Sequence, residues 1–259
     1  MRKVILHYHI YKNSGTSFDH VLTQSFGAQH ELFDGPFPFF SINQDELDRI
    51  ITRRPSAVAF SSHQIMLPQP TSLEYRALAV LFLRHPILRI GSIWRFKRES
   101  EDGTTTSDAA QQMSFAEWIE WCFADPQEIS HISNAQTRFL AAVYGRLPLR
   151  RRTAIGIEYD LETARRNLRQ VEFLARTEFF EQDVARFPAI AAQHGLTLTL
   201  PDDLHMNATH RAEAPLEERV AALLAQLPGN LAARLIQVNA QDQALFDLAG
   251  ALIEKGQPE

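Results

Sequence analysis

The first 26 residues constrain the fold most. Val4-Ile5-Leu6-His7-Tyr8-His9-Ile10 is a short apolar strand. Tyr11-Lys12-Asn13-Ser14-Gly15-Thr16-Ser17 follows as a turn, and Phe18, Val21, Leu22 and Phe26 then recur at helical spacing. A strand that turns through Gly15 into a helix brings backbone N–H groups and the positive end of the helix dipole to one point, a place suited to an anion. Lys12 adds a full charge, and Ser14, Thr16 and Ser17 add hydroxyl donors. A Walker A loop carries its Lys after the last Gly; here Lys12 precedes Gly15 and a second Gly is missing, which disfavours an ordinary nucleoside-triphosphate site. A plain strand–turn–helix corner with a solvated Lys12 fits the same residues.

A second segment repeats the pattern. Leu78-Ala79-Val80-Leu81-Phe82-Leu83 is a continuous apolar run, as expected of a parallel strand buried on both faces. It ends in Arg84-His85-Pro86. Pro86 suits the first turn of a helix, and Ile87, Leu88, Ile90 and Trp94 continue at helical spacing. Arg84 thus falls beyond the carboxyl end of a strand, where open α/β sheets bind ligands. Ser92 lies in the helix that follows. A surface ion pair for Arg84 and a packed small residue for Ser92 are the plainer readings. Two strand ends, each with a cation and each opening a helix, point to one ligand with two anionic ends.

Elsewhere strands and helices alternate. Asp45–Arg53 reads helical, Ala57–Phe60 as a second strand, and Phe115–Phe123, Ala135–Val143 and Leu161–Gln170 as helices, the last capped by Asp160. A strand at Val171–Ala175, a helix at Gln182–His194 stopped by Gly195, and helices at Leu216–Gln226 and Leu231–Lys255 complete the chain. Asp34–Phe40 is a Pro- and Phe-rich loop, a lid or acceptor wall or simply a packed loop. Glu101–Gln112 is polar and reads as a mobile surface loop. The alternation predicts an α/β fold, a mostly parallel sheet flanked by helices, in one domain spanning residues 1–259.

Composition removes several classes. A net charge of −5 argues against general nucleic-acid binding, which wants a basic domain. Cys122 is the one cysteine, so neither an intramolecular disulfide nor a Cys-based zinc site exists. No apolar run approaches a membrane span, and the run after Met1-Arg2-Lys3 is too short for a signal peptide.

His9-Ile10-Tyr11-Lys12-Asn13-Ser14-Gly15-Thr16-Ser17 resembles the H-x-P-K-[TC]-[GA]-[GS]-T-S loop of the carbohydrate sulfotransferases, more narrowly of the heparan sulfate 2-O-sulfotransferases and their bacterial relatives. Leu83-Arg84-His85-Pro86-Ile87-Leu88-Arg89-Ile90-Gly91-Ser92 resembles that family's R-[DH]-P-x-x-R-x-x-S segment. Weaker matches follow in order: Asn134–Leu140, Phe173–Phe180 and Asn207-Ala208-Thr209. Tyr11 stands where the family has Pro, and Ala175-Arg176 where it has a Gly-containing pair. The resemblance implies a P-loop-like nucleotide-binding fold whose donor is 3′-phosphoadenosine 5′-phosphosulfate (PAPS). Lys12, Asn13, Ser14, Gly15, Thr16 and Ser17 would grip the phosphosulfate end, Arg84 and Ser92 the 3′-phosphate, and Thr209 would lie near the nucleotide. The acceptor would be a carbohydrate or glycoconjugate. Eukaryotic members carry a Golgi membrane anchor that this sequence lacks, so a cytoplasmic protein is expected.

Sulfuryl transfer to a hydroxyl needs a base, and a histidine near neutral pKa suits it. His63 follows the strand Ala57–Phe60 through Ser61-Ser62, and the resembled family carries its catalytic His at this place, after a Gly where Ser62 stands here. His85 is the rival; a loop histidine held by backbone is the plainer reading of His63. His7 and His9 share a strand face. A metal pair is conceivable there, but no third ligand has suitable spacing, and a core or supporting role is expected. His205 and His210 flank Asn207 and Thr209 and would close over a nucleotide or lie in a surface loop. Lys12 would stabilise charge growing on the leaving phosphate oxygen. With Lys12, Arg84 and loop amides neutralising the donor, no metal is required. The alternatives are a P-loop kinase, which needs a metal carboxylate and a Lys after the Gly, and an inactive nucleotide- or glycan-binding module.

Overall fold

The computed structural model describes residues 1–35, 41–141, 160–201 and 214–256. Five strands form one sheet in the order β2-β3-β1-β4-β5: β1 Arg2–Tyr8, β2 His30–Leu32, β3 Ala59–Ser62, β4 Tyr75–Leu83 and β5 Phe173–Arg176. Every pairing is parallel, with Leu6 opposite Phe60 on one side and Ala79 on the other. The fold is α/β, as the alternation of elements predicts. The chain leaves β1 towards one edge, returns in β3, then crosses to β4 on the far side. The order therefore reverses about β1, and ligands of open parallel sheets lie beyond the carboxyl ends at such a point.

Period two along the strands sorts the core into layers. Val4, Leu6, Tyr8, Phe60, Leu81 and Leu174 face one way. They pack on α2 (Gln44–Thr52), α7 (Ala135–Ala141), α8 (Leu161–Leu168) and α13 (Ala240–Glu254). Ile5, Leu78, Val80, Phe82 and Phe173 face the other way, onto α1 (Gly15–Phe26), α9 (Phe180–Val184) and α10 (Phe187–Gln193). A third cluster gathers α3 (Pro86–Glu99), α4 (Thr105–Gln112), α5 (Phe115–Ala124), α11 (Leu216–Leu224) and α12 (Gly229–Val238), with Trp118 fully buried at its centre. The short α6 (Ile129–Ile132) lies between α5 and α7.

Several expectations are corrected. Glu101–Gln112 is not a loop throughout: from Thr105 it is α4, capped by the Thr104 hydroxyl on Ser107 N–H, with Thr106, Ser107, Ala109 and Ala110 buried. Its buried face is made of small residues, two of them polar, which carry little hydropathy signal. The helix expected over Gln182–His194 is two helices, broken just before Pro188, whose ring cannot continue a preceding turn. The long helix expected over Leu231–Lys255 breaks at Asn239, whose side-chain amide donates to Ile132 O (2.6 Å) and Leu235 O (2.9 Å). The short edge strand β2 has no expected counterpart, and β3 runs to Ser62, two residues past the expected end. Asp160 does cap α8, accepting from Thr163 N–H at 2.7 Å, and Gly195 takes a φ of +73° at the end of the α10 segment. No described helix is long and apolar enough to cross a membrane.

Candidate active site

The loop after β1 is held from behind. Lys12 and Ser14 adopt left-handed φ values of 65° and 62°, each costing of order 1–3 kcal/mol for a residue with a Cβ. Bonds to β4, to the start of α3 and to Gln136 on α7 hold that shape. The Asn13 amide donates to Phe82 O (2.8 Å) and Gln136 Oε1 (2.7 Å). Arg84 Nη1 donates to Lys12 O (2.8 Å), and Arg89 Nε to Tyr11 O (3.1 Å). With its carbonyls drawn inward, the loop turns N–H groups outward, as in other anion-holding turns. The first bond of α1 runs from Phe18 N–H to Ser14 O. The amides of Gly15, Thr16 and Ser17 precede it and have no acceptor among the described residues. Asn13 itself faces inward; its N–H goes to Ile10 O, so it shapes the loop rather than offering a free donor.

Gly15 is demanded by a neighbour. A Cβ there would lie 1.9 Å from His9 Cδ2, so the imidazole of His9 occupies the space against the helix start.

Arg84 is a strut between two elements. Its Nε pairs with Glu178 Oε1 (3.2 Å), and Glu178 Oε2 accepts His85 N–H (3.1 Å). Burial pushes the Glu178 carboxyl up, opposed by Arg84. The Arg84 backbone N–H goes to Gln136 Oε1 (2.9 Å), the same oxygen that accepts from Asn13. The Lys12 ammonium lies 4.2 Å from the centre of the Phe96 ring. Burial lowers its pKa, and the nearby cations Arg84 and Arg95 lower it further. Arg219 on α11 joins the same field, acting on Arg84, Arg95 and Glu178. Lys12, Arg84, Arg95 and Arg219 thus gather beyond β1 and β4 on a chain of net charge −5. Arg95 and Arg219 are absent from the sequence reading. Arg95 is one turn on from Ser92 along α3, a spacing that could have found it; Arg219 comes in from a distant helix with no local signal. Ser92 is half-buried on α3. Thr209, with Asn207, His205 and His210, lies outside the described residues.

On the other side of β1 stands a row of imidazoles. His63 directly follows β3, and its side chain is 46% exposed. Its ring stacks on His9 with centroids 3.9 Å apart. Its Nδ1 meets Asp34 Oδ2 at 3.2 Å. Beneath, Asp19 on α1 accepts from His9 Nδ1 (3.2 Å) and His7 Nδ1 (2.7 Å). Ser61 Oγ links His7 (3.2 Å) to His30 (2.9 Å). Burial lowers the pKa of His9, partly opposed by its bond to Asp19. Burial and then His9 lower that of His63, against the pull of Asp34. The two histidine neighbours hold the Asp19 carboxyl well below the usual range against the cost of its own burial. A hollow of about 210 Å³ opens here, lined by His9, Leu32, Phe33, Asp34, Ser61, Ser62 and His63. A larger one, about 440 Å³, lies against α2 and touches none of these except through the neighbouring Gly35.

Asp19 corrects the expectation that no third ligand stands near His7 and His9: the three offer ligand atoms within 4.8 Å of one another. The 2.7 Å between His7 Nδ1 and Asp19 Oδ1 is a hydrogen-bond distance. Two ligands each about 2.0–2.1 Å from a tetrahedral zinc would stand farther apart, so the trio is built as a proton-sharing cluster. His85, the rival base, packs against the Phe246 ring, has its Nδ1 buried without a partner among the described residues, and is pushed down to about 4, chiefly by burial.

A fully parallel sheet, reversing about a central strand that runs through a left-handed loop into a helix, defines an α/β protein of the P-loop-like class. Within it the assignment is specific: the sequence profile of the sulfotransferase family matches residues 1–249, and the chain belongs to that family. The chain is also 25% identical over 261 residues to an uncharacterized protein of Archaeoglobus fulgidus, covering 98% of this chain and 99% of that protein.

Proposed function

We propose that this sulfotransferase moves the sulfuryl group of PAPS to a hydroxyl of a carbohydrate or glycoconjugate, with His63 as general base and Lys12 at the leaving group. One observation carries the reading: the His9 ring lies between Gly15 and His63, touching both, so base and anion loop stand one imidazole apart. The free amides of Gly15–Ser17 and the Lys12 ammonium suit a 5′-phosphosulfate. Arg84, Arg95 and Arg219 suit the second anionic end, with Ser92 and Thr209 both retained from the resemblance. Asn13 would act by holding the loop. The acceptor class rests on the resemblance of His9–Ser17 and Leu83–Ser92 to carbohydrate sulfotransferase loops, and the hollow at His63 would receive the hydroxyl.

In the step, the acceptor oxygen bonds to sulfur as the bond from sulfur to the bridging oxygen breaks. The electron pair stays on the departing phosphate, and the hydroxyl proton goes to His63 Nε2. Charge grows on the bridging oxygen, so an ammonium and fixed amides aimed there stabilise the transition state more than the ground state. Catalysis is then mostly positioning, as in phosphoryl transfer through a loose transition state.

Calorimetry tests the donor. Metal-free binding of 3′-phosphoadenosine 5′-phosphate, tighter than that of AMP, is expected; binding of Mg-ATP in its place would make the chain a kinase. Labelled PAPS with a panel of glycans then tests the acceptor.

A further inference from the structure

We propose that Asp34 is the positioning residue of His63, fixing its ring so that Nε2 alone takes the acceptor's proton. The inference rests on the reading of His63 as base and adds a residue to it. β2 and β3 are parallel neighbours with Leu32 opposite Ser61, and the ladder continues with Phe33 N–H to Ser61 O (3.0 Å). The pairing carries Asp34 and His63 out of the sheet side by side, although 29 residues separate them.

The carboxylate is itself held. Oδ1 accepts from Ser62 Oγ (2.8 Å) and from the His63 backbone N–H (3.0 Å), leaving Oδ2 against His63 Nδ1 (3.2 Å). Ser62 Oγ in turn accepts Gln64 N–H (3.0 Å). The stack on His9 sets the plane of the imidazole, and Asp34 sets its rotation within that plane. An ionised carboxylate only accepts, so Nδ1 must carry the hydrogen and Nε2 the lone pair. When Nε2 gains a proton, the same carboxylate stabilises the imidazolium. Among the described residues, the charged and titratable groups around the ring are Asp34 from the β2 end, His9 from the β1 end and Asp19 behind it on α1.

The deciding measurement is the His63 tautomer, read from ¹⁵N shifts of histidine-labelled full-length protein at neutral pH and assigned with His63→Gln. The Nδ1–H form is expected in the parent. Asp34→Asn offers an amide N–H to Nδ1 and should turn His63 to the Nε2–H form. The matching change in an Asp–His–Ser triad lowers turnover by about 10⁴-fold, and a loss of about 10²–10⁴-fold is expected here. Affinity for 3′-phosphoadenosine 5′-phosphate should stay within about twofold, and Asp34→Glu should restore the Nδ1–H form. A parent His63 in the Nε2–H form, or an Asp34→Asn variant with parental tautomer and turnover, overturns the proposal. The tautomer is read without acceptor, so it decides the role of Asp34 separately from that of His63: normal turnover in His63→Ala would refute the base while leaving the tautomer result standing.

Discussion

The imidazole of His9 is stacked 3.9 Å from that of His63, and its Cδ2–Nε2 side fills the space that a Cβ on Gly15 would need. One side chain therefore sets the spacing between the anion loop and the proposed base. Gly15→Ala should displace His9 or shift the loop. A loss of about 1–3 kcal/mol in stability is expected, typical of overpacking, together with weaker binding of 3′-phosphoadenosine 5′-phosphate. Adding His9→Ala removes the collision and should recover part of the stability in thermal melts. Parental melting and binding in Gly15→Ala alone would show that the contact imposes nothing.

Arg84 holds Lys12 O and Glu178 at once. Arg84→Ala leaves Glu178 as a buried carboxylate without its cation, a change that costs about 3–5 kcal/mol when a buried pair is broken. Nucleotide affinity should also fall, by about 1.5–3 kcal/mol for a lost charge-assisted contact. Melting and calorimetry separate the two effects. A stable variant with full affinity contradicts both.

Lys12 is expected to act on ground and transition states together, more on the second. Lys12→Ala should lower turnover at saturating PAPS by a larger factor than it weakens binding. Weaker binding with parental turnover would reduce Lys12 to an anchor.

How much of this was legible in the sequence depended on range. The β1–loop–α1 corner and the Leu78–Pro86 run were readable because strand period, turn residue and helix start lie within twenty residues of one another. Asp160 and Gly195 were readable because caps are local. Asp34 and Asp19 gave no signal, since each matters only through a histidine that the sheet brings to it. Arg219 reaches the Arg84 field from another helix. The break at Asn239 depends on the carbonyl of Ile132, more than a hundred residues away, and α4 was hidden by its small buried residues.

Acid should act on turnover through His63 and on stability through every histidine whose pKa burial lowers, His85 among them. As the proposed base His63 would work unprotonated, and burial and His9 hold its pKa below 6.5. Turnover should therefore persist at pH 6.5 and fall only as pH drops through that lower value. His85 stays neutral in the folded chain down to about 4. Between 6.5 and 4 the unfolded chain binds the extra proton, so stability is present above 6.5 and is lost as pH falls through this window. Melting temperature against pH should decline there, and less steeply in His85→Gln. An acid limb of turnover centred above 6.5 would contradict the environment described for His63.

The most direct test of the central claim compares His63→Ala with the parent at saturating PAPS, with His85→Ala as control. A turnover loss of about 10²–10⁴-fold is expected in His63→Ala, the usual worth of a positioned base. Affinity for 3′-phosphoadenosine 5′-phosphate should be nearly unchanged, and the effects in His85→Ala much smaller. Parental turnover in His63→Ala, or its loss only in His85→Ala, would contradict the claim.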